Sequence, residues 1–166
     1  MSTKALELLE MARELAGANA AFQEVLGPGA GDHATKEFMR RLRMRALESF
    51  GTDHSEKKIC GETSQAVDFY FPDEGTIVEV ALGLQNPASE YEKDILKAIM
   101  AQECGHKVDC LFFISRPGAA KKCTQPGRRG FKDWALAKHL LHIEVHELNG
   151  EPRVRRKRSR SVAVVE

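Results

Sequence analysis

Two acidic residues, Asp68 and Glu79, lie in neighbouring β-rich runs of the segment AVDFYFPDEGTIVEVALGLQNPASEYEKDILKAIM (residues 66–100), with Pro72, Asp73, Glu74 and Gly75 as the turn between them. Side chains alternate between the faces of a strand, so Asp68 shares a face with Tyr70, opposite Val67, Phe69 and Phe71. Glu79 shares its face with Ile77 and Ala81, opposite Val78, Val80 and Leu82. A hairpin through the turn sets the two carboxylates at almost equal depth, where cross-strand Cβ atoms are about 4.5–5.5 Å apart. Like charges that close repel, so water or a cation has to come between them. One or two carboxylates completed by water and phosphate is how Mg²⁺ is held. The same pair on a wet strand face would carry no chemistry, and the spacing alone leaves both readings open.

The flanking elements must position this pair. Leu6, Leu8, Leu9, Ala12, Leu15 and Ala16 mark an amphipathic helix over residues 3–16, closed by Gly17, with a short helix expected at 18–26. GPGAGDH at 27–33 reads as a breaker-rich linker. Phe38, Leu42, Ala46 and Phe50 recur every fourth position and predict a core-facing helix over 34–50, ended by Gly51. A short strand is expected at 57–60, the hairpin at 66–71 and 76–82, and a helix from Pro87 to about Gln102. VDCLFFIS (108–115) is a short continuous apolar run, as in a strand buried on both faces. A loop at 116–130, a helix at 131–141 and a strand at 143–148 complete the order, with Trp134 expected in the core.

The chain's 166 residues, 42% apolar and 30% charged, suit one α/β domain with a substantial core. Residues 1–33 read as a helical extension, 34–148 as the core and 151–166 as a basic tail. No apolar run approaches a membrane span and MSTKALELLE lacks a signal-peptide core, so a cytoplasmic protein with no membrane partner is expected. Cys60, Cys104, Cys110 and Cys123 lack paired spacing, which favours reduced thiols over zinc. His142, Glu144 and His146 alternate along one face of the final strand and read as a solvated or groove-lining face.

Charge is informative in its distribution. RVRRKRSR (153–160) holds six basic residues; without them 19 basic face 24 acidic residues. Arg155, Arg156, Lys157 and Arg158 of this arm, Arg40 and Arg41 on the second predicted helix, and Lys121, Lys122, Arg128 and Arg129 in the Pro- and Gly-rich loop are candidate contacts to a nucleic-acid backbone. The arm read alternatively is a solvated extension.

The element order with Asp68, Glu79-Val80-Ala81 after Thr76-Ile77-Val78, and a helix from Pro87 resembles the PD-(D/E)XK nuclease superfamily. GTIVEVALGLQNP looks most like the third strand of BglII-type restriction endonucleases. The resemblance spans roughly residues 34–148 and implies a restriction-endonuclease-like core with a central mixed sheet of four or five strands. It also implies Mg²⁺- or Mn²⁺-dependent hydrolysis of double-stranded DNA, in a possible homodimer to which the helix at 3–16 would contribute. Asp68 and Glu79 would be metal ligands with the carbonyl of Val80 or Ala81, and Glu48, ahead of Glu37, would assist from the preceding helix. Position 81 departs from the pattern: the family usually has Lys there and the BglII-like branch Gln, whereas this chain has Ala. A lysine from the next helix is the natural substitute, and Lys93 is the candidate, ahead of Gln85 in the preceding loop. Glu90, Lys93, Asp94 and Lys97 read equally as an exposed ion-paired stripe. Two rivals to an endonuclease stand: a catalytically inactive nuclease-fold DNA-binding protein, and an interaction domain with a solubilising tail.

Overall fold

The computed structural model describes residues 2–18, 30–84 and 90–150, with side chains at 30–32 left aside. The expected helix at 18–26, Gln85, Pro87 and the arm residues Arg155, Arg156, Lys157 and Arg158 lie outside the described residues.

The elements run α1 (Thr3–Ala18), α2 (Ala30–Phe50), β1 (Ser55–Lys57), β2 (Val67–Phe71), β3 (Thr76–Val80), α3 (Glu90–Glu103), β4 (Cys110–Ser115), α4 (Ala119–Cys123), α5 (Pro126–His139) and β5 (His142–Glu147). The strands form one mixed sheet in the order β1-β2-β3-β4-β5. β1, β2 and β3 pair antiparallel, and β3-β4 and β4-β5 pair parallel, so α3 and the α4–α5 pair are crossover connections. Several boundaries differ from the sequence reading: β1 covers Ser55–Lys57 rather than 57–60, and α5 ends at His139 rather than at 141. α2 starts at Ala30 inside the expected linker, since neither Gly31 nor Asp32 stops a helix that Phe38, Leu42 and Ala46 bury. The expected loop at 116–130 contains α4 and the first turn of α5, which opens on Pro126, a residue suited to a helix start.

Two apolar layers sandwich the sheet. On one face Phe69, Phe71, Val78, Phe112 and Ile114 pack against α1 and α2. On the other, Tyr70, Ile77, Ala81, Leu111 and Phe113 pack against α3, α4 and Ala135 of α5. α1 uses its apolar face, Ala5, Leu8, Leu9, Ala12 and Ala16, inside this core, so that face does not serve the dimer interface expected of it. Its start is tied to the hairpin: Glu74 accepts the Lys4 N–H and the Ser2 hydroxyl.

The hairpin closes as the turn residues require. Gly75 holds φ at +58°, and its carbonyl accepts the Asp109 N–H at 2.7 Å, locking the turn to the start of β4. A Cβ there would sit 2.6 Å from Asp109 Oδ2. Gly75→Ala is expected to lower stability by about 1–2 kcal/mol from the left-handed backbone alone, measured by denaturant unfolding.

Candidate active site

The β2–β3 register, Phe71 with Thr76, Tyr70 with Ile77 and Phe69 with Val78, continued by one residue sets Asp68 opposite Glu79. Both point to the α3 side, because Phe69 and Val78 beside them pack on the other layer. Asp68 Oδ2 accepts the Val80 N–H at 2.8 Å, which anchors that carboxylate just beyond the last paired residues. The Ala81 carbonyl accepts the Ser115 hydroxyl at 2.6 Å and the Leu84 N–H at 3.3 Å, tying the end of β3 to the end of β4.

α3 crosses over this spot and brings two charges that the amphipathic pattern hides. Lys97 Nζ lies 2.6 Å from Glu79 Oε1 and 2.9 Å from Asp94 Oδ1, and donates to the Ala66 carbonyl at 3.2 Å. Glu79, Asp94 and Lys97 are only 3%, 7% and 6% exposed. The lysine that reaches the carboxylates is therefore Lys97, whereas Lys93 is exposed. Four residues advance a helix by about 40° beyond a full turn, which turns Lys97 toward the sheet and leaves Lys93 in water. The signal was present in the sequence: Asp94 falls in the arc of Tyr91, Ile95, Ala98 and Ala101, where a charge is buried only if paired.

Glu48 is not part of this constellation. It is exposed on α2, a helix of the opposite layer, so the third carboxylate is Asp94. Glu37 is taken up by Arg40 and Arg41, whose hydrogen bonds hold its carboxyl down at about 2. Glu48→Ala and Lys93→Ala are expected to change stability by less than about 0.5 kcal/mol, as exposed substitutions do, and to leave any activity of the site intact in a parallel assay.

The cluster has more negative charge than its one ammonium balances. Burial, reinforced by the carboxylates of Asp68 and Asp94, pushes Glu79 well above the usual carboxylate range despite Lys97. Burial likewise raises Asp94 against the pull of Lys97. Burial alone would lower Lys97, but Glu79 and Asp94 outweigh it and hold the ammonium at about 12. A proton or a cation relieves such a site. Glu79 Oε1 is buried and makes no well-directed hydrogen bond, since Lys97 approaches it closely but off angle. Its hard oxygens and those of Asp68 suit Mg²⁺, which needs few protein ligands. Among the described residues no group of three or more His, Cys, Asp and Glu is arranged as a metal cage.

No protein-family model matches this chain, and neither a curated protein nor a solved structure does.

The basic candidates separate into two groups. On α2, Arg40 and Arg41 pair with Glu37 at 2.8 and 2.7 Å, Arg43 pairs with Glu56, and Arg45 with Glu14, so this face is largely neutralised. Arg128 holds the fold: Nη1 donates to the Leu84 carbonyl at 2.5 Å and the guanidinium lies 5.5 Å from the centre of the Tyr91 ring. Lys121, Lys122 and Arg129 are exposed and make no ion pair with any described residue. On β5, His146 stacks on Phe112 with ring centres 4.1 Å apart and meets Glu144 at 2.9 Å, on the layer away from Glu79. No helix among the described residues is long and apolar enough to cross a membrane.

Proposed function

We propose that the chain is a Mg²⁺-dependent DNA endonuclease, Mn²⁺ serving as an alternative ion, built on a restriction-endonuclease-like core. The observation that carries this reading is Lys97, 2.6 Å from Glu79 on the sheet face that also bears Asp68. It supplies the cation that Ala81 cannot, from the helix that follows the acidic strand. Asp68, Glu79 and the Val80 carbonyl would hold the ion, which when bound supplies an acidified water and charge stabilisation at a phosphodiester. Asp68, fixed by the Val80 N–H, keeps one oxygen for that role. Lys97 would meet the charge that develops on the phosphate, and Asp94 positions Lys97 from one turn away.

The test is incubation of purified protein with supercoiled plasmid and linear duplex in Mg²⁺, Mn²⁺ or EDTA, beside Asp68→Asn and Glu79→Gln. Cleavage that requires the ion and is lost in both variants supports the proposal. A second reading is a nuclease fold that binds DNA without cutting it. One observation favours it: Lys97 spends its contacts on Glu79, Asp94 and Ala66 in a closed buried network. Salt-sensitive binding with no cleavage under any condition would establish that reading.

A further inference from the structure

α5 is held to the molecule by little of its surface. Ala135 is its one buried residue, and Phe131 and Trp134, expected in the core, are 44% and 45% exposed. The helix packs on β5 and its neighbouring helices through Ala135, and Phe131 and Trp134 stay outside the core layer. Trp134 is the chain's single tryptophan. Phe131, Trp134 and Lys138 follow at steps of three and four residues, so they share one face of the helix. Exposed aromatics on a face that an ordinary surface would make polar point to a partner.

The charges name its chemistry. Residues 116–139 contain seven basic residues and one acid, Asp133. Lys121, Lys122, Arg129, Lys132 and Lys138 are all exposed, and none forms an ion pair with any described residue. This differs from α2, where each arginine has its glutamate. Lys138 shares the face of Phe131 and Trp134 and Lys132 flanks it, whereas Arg129 lies on the opposite side of the helix, toward α4. Cations beside flat aromatic rings are what unpaired nucleotides bind, phosphates to the former and base faces to the latter. An intact duplex keeps its base faces stacked and offers them nothing to the rings.

The face is also connected to the candidate site. Arg128 reaches the Leu84 carbonyl, in the turn that leaves β3 just after Glu79 and Ala81. At about 1.5 Å per residue, Phe131 and Trp134 stand roughly 4.5 and 9 Å farther along the helix axis from that anchor. We propose that the exposed face of α5 binds a single-stranded segment of nucleic acid, with Phe131 and Trp134 stacking on its bases and Lys138 and Lys132 meeting its phosphates. Built on the nuclease reading, this makes the substrate DNA with unpaired nucleotides: an overhang, flap or gap beside the site.

Because Trp134 is unique, its own fluorescence reads the contact. The full chain is titrated with an oligothymidylate, with a blunt duplex of equal length and with anionic phospholipid vesicles, at low and raised salt. Single-strand quenching stronger than duplex quenching, and weakened by salt, is expected. Labelled-oligonucleotide anisotropy should show affinity falling about 5- to 150-fold in Phe131→Ala and in Trp134→Ala, the range for loss of one stacked base. Lys132→Gln with Lys138→Gln should reduce the salt slope by about 0.7 per lost phosphate contact. Circular dichroism verifies that these surface variants fold. Unchanged affinity in both aromatic variants, equal quenching by duplex, or quenching by vesicles alone overturns the proposal. Plasmid cleavage without single-strand quenching would sink this surface and leave the nuclease standing; quenching without cleavage would do the reverse.

Discussion

Lys97→Met protein incubated with plasmid and Mg²⁺ is expected to cleave at least about 10²- to 10³-fold more slowly than the wild type, the loss usual when one preorganised charge-stabilising donor is removed. Ala81, whose methyl group can neither polarise water nor meet a phosphate, is buried in the apolar layer beneath α3. The only cation within contact of Glu79 among the described residues is Lys97, held there by Asp94 and the Ala66 carbonyl. Lys93, one turn earlier and exposed, is the control. If Lys93→Ala abolishes cleavage while Lys97→Met cuts normally, the assignment of the cation is wrong. If both cut normally, the cluster is structural and the chemistry lies elsewhere.

Unequal changes in stability are expected from the two halves of the same ion pair. Lys97→Met leaves Glu79 and Asp94 buried without their counter-charge and should cost about 3–5 kcal/mol, as breaking a buried pair from one side does. Glu79→Gln removes charge from a site that has too much of it. In metal-free buffer Lys97 keeps Asp94 as its partner at 2.9 Å, so this change should cost far less than the about 3–5 kcal/mol of leaving a buried charge unpaired. The pH dependence has a definite sign. Folded Glu79 binds its proton more tightly than its usual 4.5. The stability this contributes is complete below that value and is lost as pH rises through the raised folded value. Wild-type protein in EDTA should therefore lose stability from acid toward neutral pH more steeply than Glu79→Gln. Added Mg²⁺ should raise the wild-type Tm by mass action and leave that of Glu79→Gln nearly unmoved. Thermal melts of wild type and both variants across pH, with EDTA or Mg²⁺, test the whole set; a Glu79→Gln variant as destabilised as Lys97→Met at neutral pH without metal would refute the charge argument.

The core helices, the hairpin and the interior strand were legible because each is set by local rules. Phe38, Leu42 and Ala46 repeat at helical spacing, Gly75 supplies the turn conformation, and the run at 110–115 is short and continuously apolar. The alternation that placed Glu79 with Ile77 and Ala81, against Val78, Val80 and Leu82, is reproduced in the two packed layers. The start of α2 at Ala30 was not legible, because packing by later residues of a helix overrides weak breakers at its first turn. Nor was the exposure of Trp134: an apolar residue of helical period tells which residues share a face, and not whether anything covers it.

By itself, then, the sequence determined which carboxylates stand side by side. Asp68 and Glu79 are joined by one short turn, and strand alternation over so small a distance leaves little freedom. Only the tertiary structure decided what completes the cluster and what is free to bind. Whether Lys93 or Lys97 meets Glu79, and whether Glu48 or Asp94 is the third acid, depends on the rotation of α3 over the sheet and on which layer holds α2. Helical spacing puts Asp94 on the apolar arc of α3, but which sheet residues that arc meets and which layer holds α2 are set by long-range packing. The same holds for the basic residues, since a count of arginines on α2 does not reveal that Glu37, Glu56 and Glu14 neutralise them.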